Sequence, residues 1–303
     1  MNKSFDLSYY IVAFIDYMGQ KSLLAELAKT DLDDVSEERL TPRLQELLDK
    51  TFNAIDELRN SLQVAANLAN NYRPDTRVIA PEKRQYYEDL AASAQIKLQT
   101  LSDAVIFHAR LEHPLTHIGI NSIFRILFAS TMVMPGFRAQ GKPLRGGIDI
   151  HWAGEIREGE IYGPALYNAY HLENEISKYP RITVGWNLIE RLKSLIYSNP
   201  CDQINAFTQK LAKRSFDLIG RDEDGIPILD YLGKGYRDIL TLNDDKVPEE
   251  IKHILIESYN KASSLLERFK QEENPEIIKY YERLIAYYQS RAPVWAKDGI
   301  KFA

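Results

Sequence analysis

The chain has 303 residues, is 45% apolar and 27% charged, and carries a formal net charge of −5. So large an apolar share excludes a disordered polymer, and an acidic balance with scattered basic residues excludes the electrostatic footprint of a duplex nucleic-acid binder. The lone cysteine, Cys201, excludes a disulfide framework and a cysteine-rich zinc centre.

Residues 9–15, YYIVAFI, are a β-branched and aromatic run that predicts a strand buried on both faces. Because this run is short and preceded by an acidic residue, the N-terminus does not read as a signal peptide. Asp16-Tyr-Met-Gly19 ends the strand, and QKSLLAELAK reads as a helix. Over 38–70, Leu44, Leu48, Ile55, Leu58 and Leu62 recur at spacings of three, four or seven, predicting a long amphipathic helix that stops near Asn70-Asn71 with a proline turn at Pro74. Residues 95–110 predict two strands joined by a tight Ser102-Asp103 turn, and 117–134 a buried helix. No stretch of about 18 uninterrupted apolar residues occurs, so the expectation is a cytoplasmic protein without a membrane partner.

PLRGGIDIH at 143–151 predicts a strand whose glycine pair permits close backbone approach. A short strand at Glu160-Ile161, a helix over Pro164–Ser177 and the strand RITVGW at 181–186 follow. DEDG at 222–225 predicts a hairpin, and helices are expected near 248–271 and 275–291, the last striped by Ile278, Tyr281, Ile285 and Tyr288. Trp186 and Trp295 are expected to be packing residues. This order predicts an α/β (α+β) fold, one sheet covered by helices. The expected organisation is a main domain over 1–240 with a helical insertion at about 32–92, and a helical extension over 241–303 packed on the same domain.

Asp16 is a carboxylate at the end of a buried strand and Asp103 sits in a hairpin turn. Burying a charge is costly without a partner, so two carboxylates at one sheet edge would suit Mg²⁺ or Mn²⁺ with phosphate oxygens as further ligands. An Asx-turn for Asp103 and a helix N-cap for Asp16 remain open on spacing alone. The histidines form no HExxH pair, and no GxxxxGK[ST], GxGxxG or GxSxG occurs, which disfavours zinc hydrolase, P-loop, Rossmann and serine hydrolase chemistry.

FIDYMG at 14–19 resembles the first-strand FxDxxGF signature of class III adenylate/guanylate cyclases, with Gln20 where that family has phenylalanine. KLQTLSDAVIF at 97–107 is similar to the family's K-x-IGD hairpin, with Ser102 for glycine. LRGGIDI at 144–150 resembles its fourth strand, and YGPALYNAYHLE at 162–173 its WGxxVNxAxRLE helix start. LRGGI, YGPAL, AYHLE, KYPRITV and DEDGIPILDYL look like a divergent bacterial branch that includes the pyrimidine cyclases of the Pycsar anti-phage system.

The resemblance implies a ferredoxin-type sheet, a homodimer with sites shared between protomers, and a cyclase making cyclic UMP or cyclic CMP that activates a separate effector. It implies that Asp16, Asp103 and the carbonyl of Tyr17 hold two metal ions, that the turn around Gly19 opens a helix holding the triphosphate, and that Gln99 and Glu160 read the base. The family's transition-state asparagine and arginine fall on Tyr167 and His171, with Asn168 one place off; this leaves Arg145 as the cation expected to meet phosphate. Against these, Gln99 also reads as a half-exposed strand residue, His171 as a polar helix surface residue and Arg145 as half of a structural ion pair. A degenerate module that binds a nucleotide without turnover, and a scaffold using the tyrosine-rich tail, are the competing readings.

Overall fold

Strand β1 (Leu7–Tyr17) runs through the middle of the sheet, and its residues Tyr10–Ile15 are buried. Alternate side chains of a strand point to opposite faces, so a run of this kind needs cover on both. In the computed structural model, which describes residues 7–29, 42–72, 79–111, 119–200, 202–242 and 244–302, that cover is present but unequal.

β1 pairs antiparallel with β3 (Ala104–Arg110) on one side and with β4 (Leu144–Arg157) on the other, and β2 (Lys97–Leu101) pairs with β3. The sheet continues from β4 through the short strands β6 (Ile182–Val184), β8 (Pro227–Leu229) and β7 (Ile219–Arg221), while β5 (Glu160–Tyr162) folds back on β4. Only the β4–β6 pair is parallel among the pairs described. The first four strands lie in the order β2-β3-β1-β4, with helices between the first and second and between the third and fourth, which is the ferredoxin-type arrangement expected of the sequence.

Helices α1 (Gln20–Leu27), α2 (Pro42–Asn71) and α3 (Pro81–Ser93) connect β1 to β2, and α4 (Ile120–Ala139) connects β3 to β4. On one face Ile11, Ala13, Ile15, Val105 and Phe107 pack in a single large core with Leu58 and Leu62 of α2 and Phe124 and Leu127 of α4. On the other face Tyr10, Val12, Phe14 and Ile106 meet Ala165 and Ala169 of α5 (Pro164–His171) in a much smaller cluster. α4 is long and apolar enough to cross a membrane, but 83% of its most apolar window is buried in the fold, so it is a core helix.

The glycine pair works as the sequence suggests. A Cβ on Gly147 would fall 2.2 Å from the Ala169 carbonyl and 2.8 Å from the Glu173 amide nitrogen, so α5 and the turn after it can lie on β4 only because that position is glycine.

Several elements differ from expectation. The helix expected to reach Ser177 ends at His171 and continues as a π turn over Leu172–Ile176. Strand β4 runs on to Arg157, and the buried stripe of α2 is Leu47, Ala54, Leu58, Leu62, Ala65 and Ala69, which leaves Leu48 and Ile55 at its margin. Trp186 opens α6 (Trp186–Ile196) and is 55% exposed beneath Arg221, whereas Trp295 is fully buried and donates to the Leu232 carbonyl. Helices α3, α6, α7 (Gln203–Phe216) and α8 (Lys234–Leu240) were not foreseen. The start of the long helix at 38, the turn at Pro74, the start of the helix at 117, Cys201 and the Leu44 side chain lie outside the described residues.

Helices α9 (Glu249–Gln271) and α10 (Pro275–Trp295) close the large core, with Tyr259, Tyr281, Leu284 and Tyr288 inside it. Buried Asp230 accepts from Tyr287 Oη at 2.7 Å and Arg291 Nε at 3.0 Å, and Arg237 pairs with Asp298 at 2.6 Å.

Candidate functional site

Strand register assembles the site. Asp16 lies directly across from Ala104 on β3 and from Arg145 on β4, so the residue before Ala104, Asp103, and the guanidinium of Arg145 flank one carboxylate. Ser102 holds a left-handed φ of 54° in the β2–β3 turn, and its carbonyl accepts from Arg59 of α2 at 2.8 Å. A cavity of about 350 Å³ opens there, with Asp16, Tyr17, Gly19, Gln20, Asp103, Arg145 and Glu173 on its walls. Gly19 caps α1 with φ 103°, a left-handed conformation that favours glycine, so β1 can turn at once into a helix.

The electrostatics are tense. Burial first, and the charge of Asp103 second, push the Asp16 carboxyl above its ordinary value against the opposing pull of Arg145. Arg145 donates to Asp16 Oδ2 from Nη2 at 3.1 Å and lies 2.5 Å through Nε from Glu173 Oε1. The π turn after α5 delivers Glu173, whose side chain is only 3% exposed. The resemblance over YGPALYNAYHLE at 162–173 assigns Glu173 no role. Sequence spacing holds no signal for it, because its place depends on a π turn and on Arg145 from a distant strand.

Three carboxylates against one guanidinium leave room for a dication. Oxygen donors of this kind suit Mg²⁺ or Mn²⁺, ions that take one or two protein carboxylates and complete their shell with water and phosphate oxygens. Among the described residues no group of three or more His, Cys, Asp or Glu converges to hold a metal. The donor set therefore fits an ion shared with a ligand, and not a closed protein cage.

Gln20 is the other anomaly. Its carboxamide is buried, and among the described residues neither its oxygen nor its nitrogen has a hydrogen-bond partner. An unsatisfied buried amide costs about 1–3 kcal/mol.

The remaining sequence candidates lie away from this cavity. Gln99 Oε1 accepts from the Ile161 amide at 3.0 Å, which brings it beside Glu160 on β5 and, among the described residues, leaves its NH₂ as a free donor. Glu160 is exposed. Tyr167 and His171 stack on each other with centroids 6.1 Å apart on the exposed side of α5, and neither is on the cavity wall. Asn168 is no substitute. Its amide reaches toward Asp149, a buried carboxylate that also accepts from Asn187 Nδ2 and the Leu188 amide and thereby caps α6.

A second, larger groove of about 930 Å³ adjoins the cavity, and Phe14, Leu101 and Tyr170 belong to both. Its floor and rim are apolar, with Trp152, Ile156, Tyr162 and Tyr167 strongly exposed.

No protein-family model matches the chain, and no curated protein matches it. The crystal structure of the adenylyl cyclase CyaB from P. aeruginosa is similar at 14% identity over 74% of this chain and 93% of its own, with a TM-score of 0.34. A likeness of that degree carries no weight for chemistry, so the functional reading rests on the residues themselves.

Proposed function

We propose that the chain is a nucleotidyl cyclase that converts a nucleoside triphosphate, UTP ahead of CTP, into the 3′,5′-cyclic monophosphate and pyrophosphate. The observation that carries the reading is the meeting of Asp16 and Asp103 on adjacent strand ends, in one polar cavity at the start of a helix. In the reaction the ribose 3′-oxygen attacks the α-phosphorus in line, its proton leaves, and the bond to the bridging oxygen breaks to release pyrophosphate.

Asp16 and Asp103, with the Tyr17 carbonyl, are the groups that would hold Mg²⁺ or Mn²⁺. Such ions supply Lewis acidity and neutralise developing phosphate charge. The first amides of α1 beyond Gly19 offer donors to phosphate, and Arg145 is the cation on the cavity wall. Gln99, with its NH₂ free, offers donors to the acceptor edge of a pyrimidine, O4 of uracil or N3 of cytosine, beside Glu160.

The active form in this reading is a homodimer. Among the described residues the cavity has a single cation on its wall, already paired, and the adjoining apolar groove is continuous with it. A second copy seated in the groove would cover the exposed aromatics and add polar groups to the cavity. Residues 1–240 form the catalytic unit, with 241–303 a helical extension closing its core, and the product serves a separate effector in anti-phage defence. A nucleotide-binding module without turnover is the second reading, favoured by the position of Tyr167 and His171 outside the cavity.

The test incubates the protein with Mn²⁺ and equal amounts of the four triphosphates. Cyclic UMP should dominate, and Asp16→Ala and Asp103→Ala should each lower product at least about 100-fold while retaining the far-UV spectrum. Cyclic AMP or cyclic GMP as the main product overturns the base assignment. Nucleotide binding without pyrophosphate release leaves the second reading.

A further inference from the structure

We propose that Arg145 is a positioning residue that occupies Asp16 in place of a divalent cation, and that Glu173 is the anchor that holds the guanidinium when the cation takes its place. The inference rests on the reading of Asp16 and Asp103 as a cation site and adds to it a residue pair with a defined task.

Three observations carry it. First, the register sets Arg145 directly across from Asp16, so the contact is built into the β1–β4 ladder and is not a surface accident. Second, the guanidinium divides its donors. Nε lies 2.5 Å from Glu173, and Nη2 lies 3.1 Å from Asp16 while Nε is 3.3 Å from it. Third, the two carboxylates are unequal. Glu173 is 3% exposed and Asp16 15%, so the Glu173 charge is the harder to leave without its cation. Glu173 is held in that position by the approach of its turn to Gly147, whose missing Cβ admits the Glu173 backbone.

A cation arriving at Asp16 displaces the Nη2 contact and the longer Nε contact, and the 2.5 Å approach of Nε to Glu173 remains. The guanidinium therefore keeps its hold on Glu173 and gives up Asp16, which leaves the Nη groups at the cavity wall with hydrogen-bonding capacity to spare. A planar fork with separate donors can make this exchange, whereas a single ammonium cannot hold two carboxylates through different nitrogens. The π turn that carries Glu173 adds to the case, because such turns concentrate at working sites.

The experiment titrates Mn²⁺ alone into the full chain by calorimetry, with thermal melts to confirm folding. Arg145→Met should bind Mn²⁺ about tenfold more tightly than wild type, and Glu173→Gln about fivefold more weakly, since the guanidinium then rests wholly on Asp16. The Glu173→Gln effect should vanish in the Arg145→Met background, because Glu173 acts through Arg145. Arg145→Lys keeps the charge but loses the two-point bridge, and it should also bind more tightly than wild type. Equal affinities for Arg145→Lys and wild type, or additive effects in the double variant, overturn the inference and leave the cation site standing. Absence of Mn²⁺ binding in every variant, wild type included, removes the cation site and the inference with it.

Discussion

The sheet has one deep face and one shallow face, and the same strand serves both. On the deep side, Ile11, Ala13, Ile15 and Phe107 lie under α2, α4, α9 and α10 in a core that gathers most of the buried apolar residues. On the shallow side, Tyr10, Val12, Phe14 and Ile106 meet α5 through alanines, and beyond them Trp152, Tyr162, Tyr167 and Tyr170 stand in the open. Apolar burial drives folding in proportion to area, so the deep face carries the stability. The shallow face spends large aromatic side chains where the isolated protomer gains little from them. Residues kept exposed at that cost belong to binding, and both the groove and the carboxylate cavity open there.

The sharpest way to break this contrast is to hollow each side. Phe107→Ala on the deep face should cost about 3–5 kcal/mol in urea unfolding, whereas Tyr167→Ala on the shallow face should stay within about 0.5 kcal/mol. Equal losses would show that the shallow face is a true second core. Next in size is self-association. Placing a charge in the groove, as in Trp152→Asp with Tyr162→Asp, should weaken the proposed dimer about 100-fold in sedimentation velocity, equivalent to about 2.8 kcal/mol, while leaving the protomer folded. An unchanged sedimentation profile would mean that the groove is not the contact.

Smaller effects come from the cavity at the edge of the shallow face. Gln20→Leu removes an amide that is buried and unpartnered, so it should raise stability by about 1–2 kcal/mol. A melting temperature raised by several degrees is the expected reading, and a fall would mean that the amide finds a partner the structure lacks. Smallest is the pH effect. The Asp16 carboxyl is raised above the ordinary 3.8, so the folded state binds the proton more tightly than the unfolded one, and this group lowers stability as pH rises past 3.8. Asp16→Asn should therefore gain on wild type toward neutral pH, and the difference should shrink as pH falls below the ordinary carboxylate value. A difference that instead grows on acidification contradicts the raised value.

Much of the frame was legible in the sequence because its signals are local. YYIVAFI announces a strand covered on both faces, the Ser102-Asp103 pair announces a tight turn, and the glycine pair of LRGGI announces close approach. What escaped has physical reasons. PEKRQYYEDLAAS forms α3 although charged and polar residues fill its first two turns, so it offers no clear apolar period to detect. The stripe of α2 runs through alanines, which hardly register as hydrophobic yet let α2 approach α4 closely. Glu173 could not be assigned because its task depends on a π turn and on Arg145 from a distant strand, and neither leaves a mark in sequence spacing. Gln99 is expected to read the base, but the Ile161 amide has taken its oxygen, a pairing across strands that sequence spacing does not show.

The hydrogen bond from Arg59 to the Ser102 carbonyl has a mechanical meaning. Arg59 lies near the middle of α2, a helix of 30 residues between the first two strands, and Ser102 is the left-handed hinge immediately before Asp103. The helix thus acts as a strut packed beside β2 and β3, and it steadies a turn whose flexing would change the gap between the two aspartates. A push on the outer surface of α2 would travel along a stiff rod to that hinge, so the spacing of the carboxylates is set from outside the sheet as well as within it.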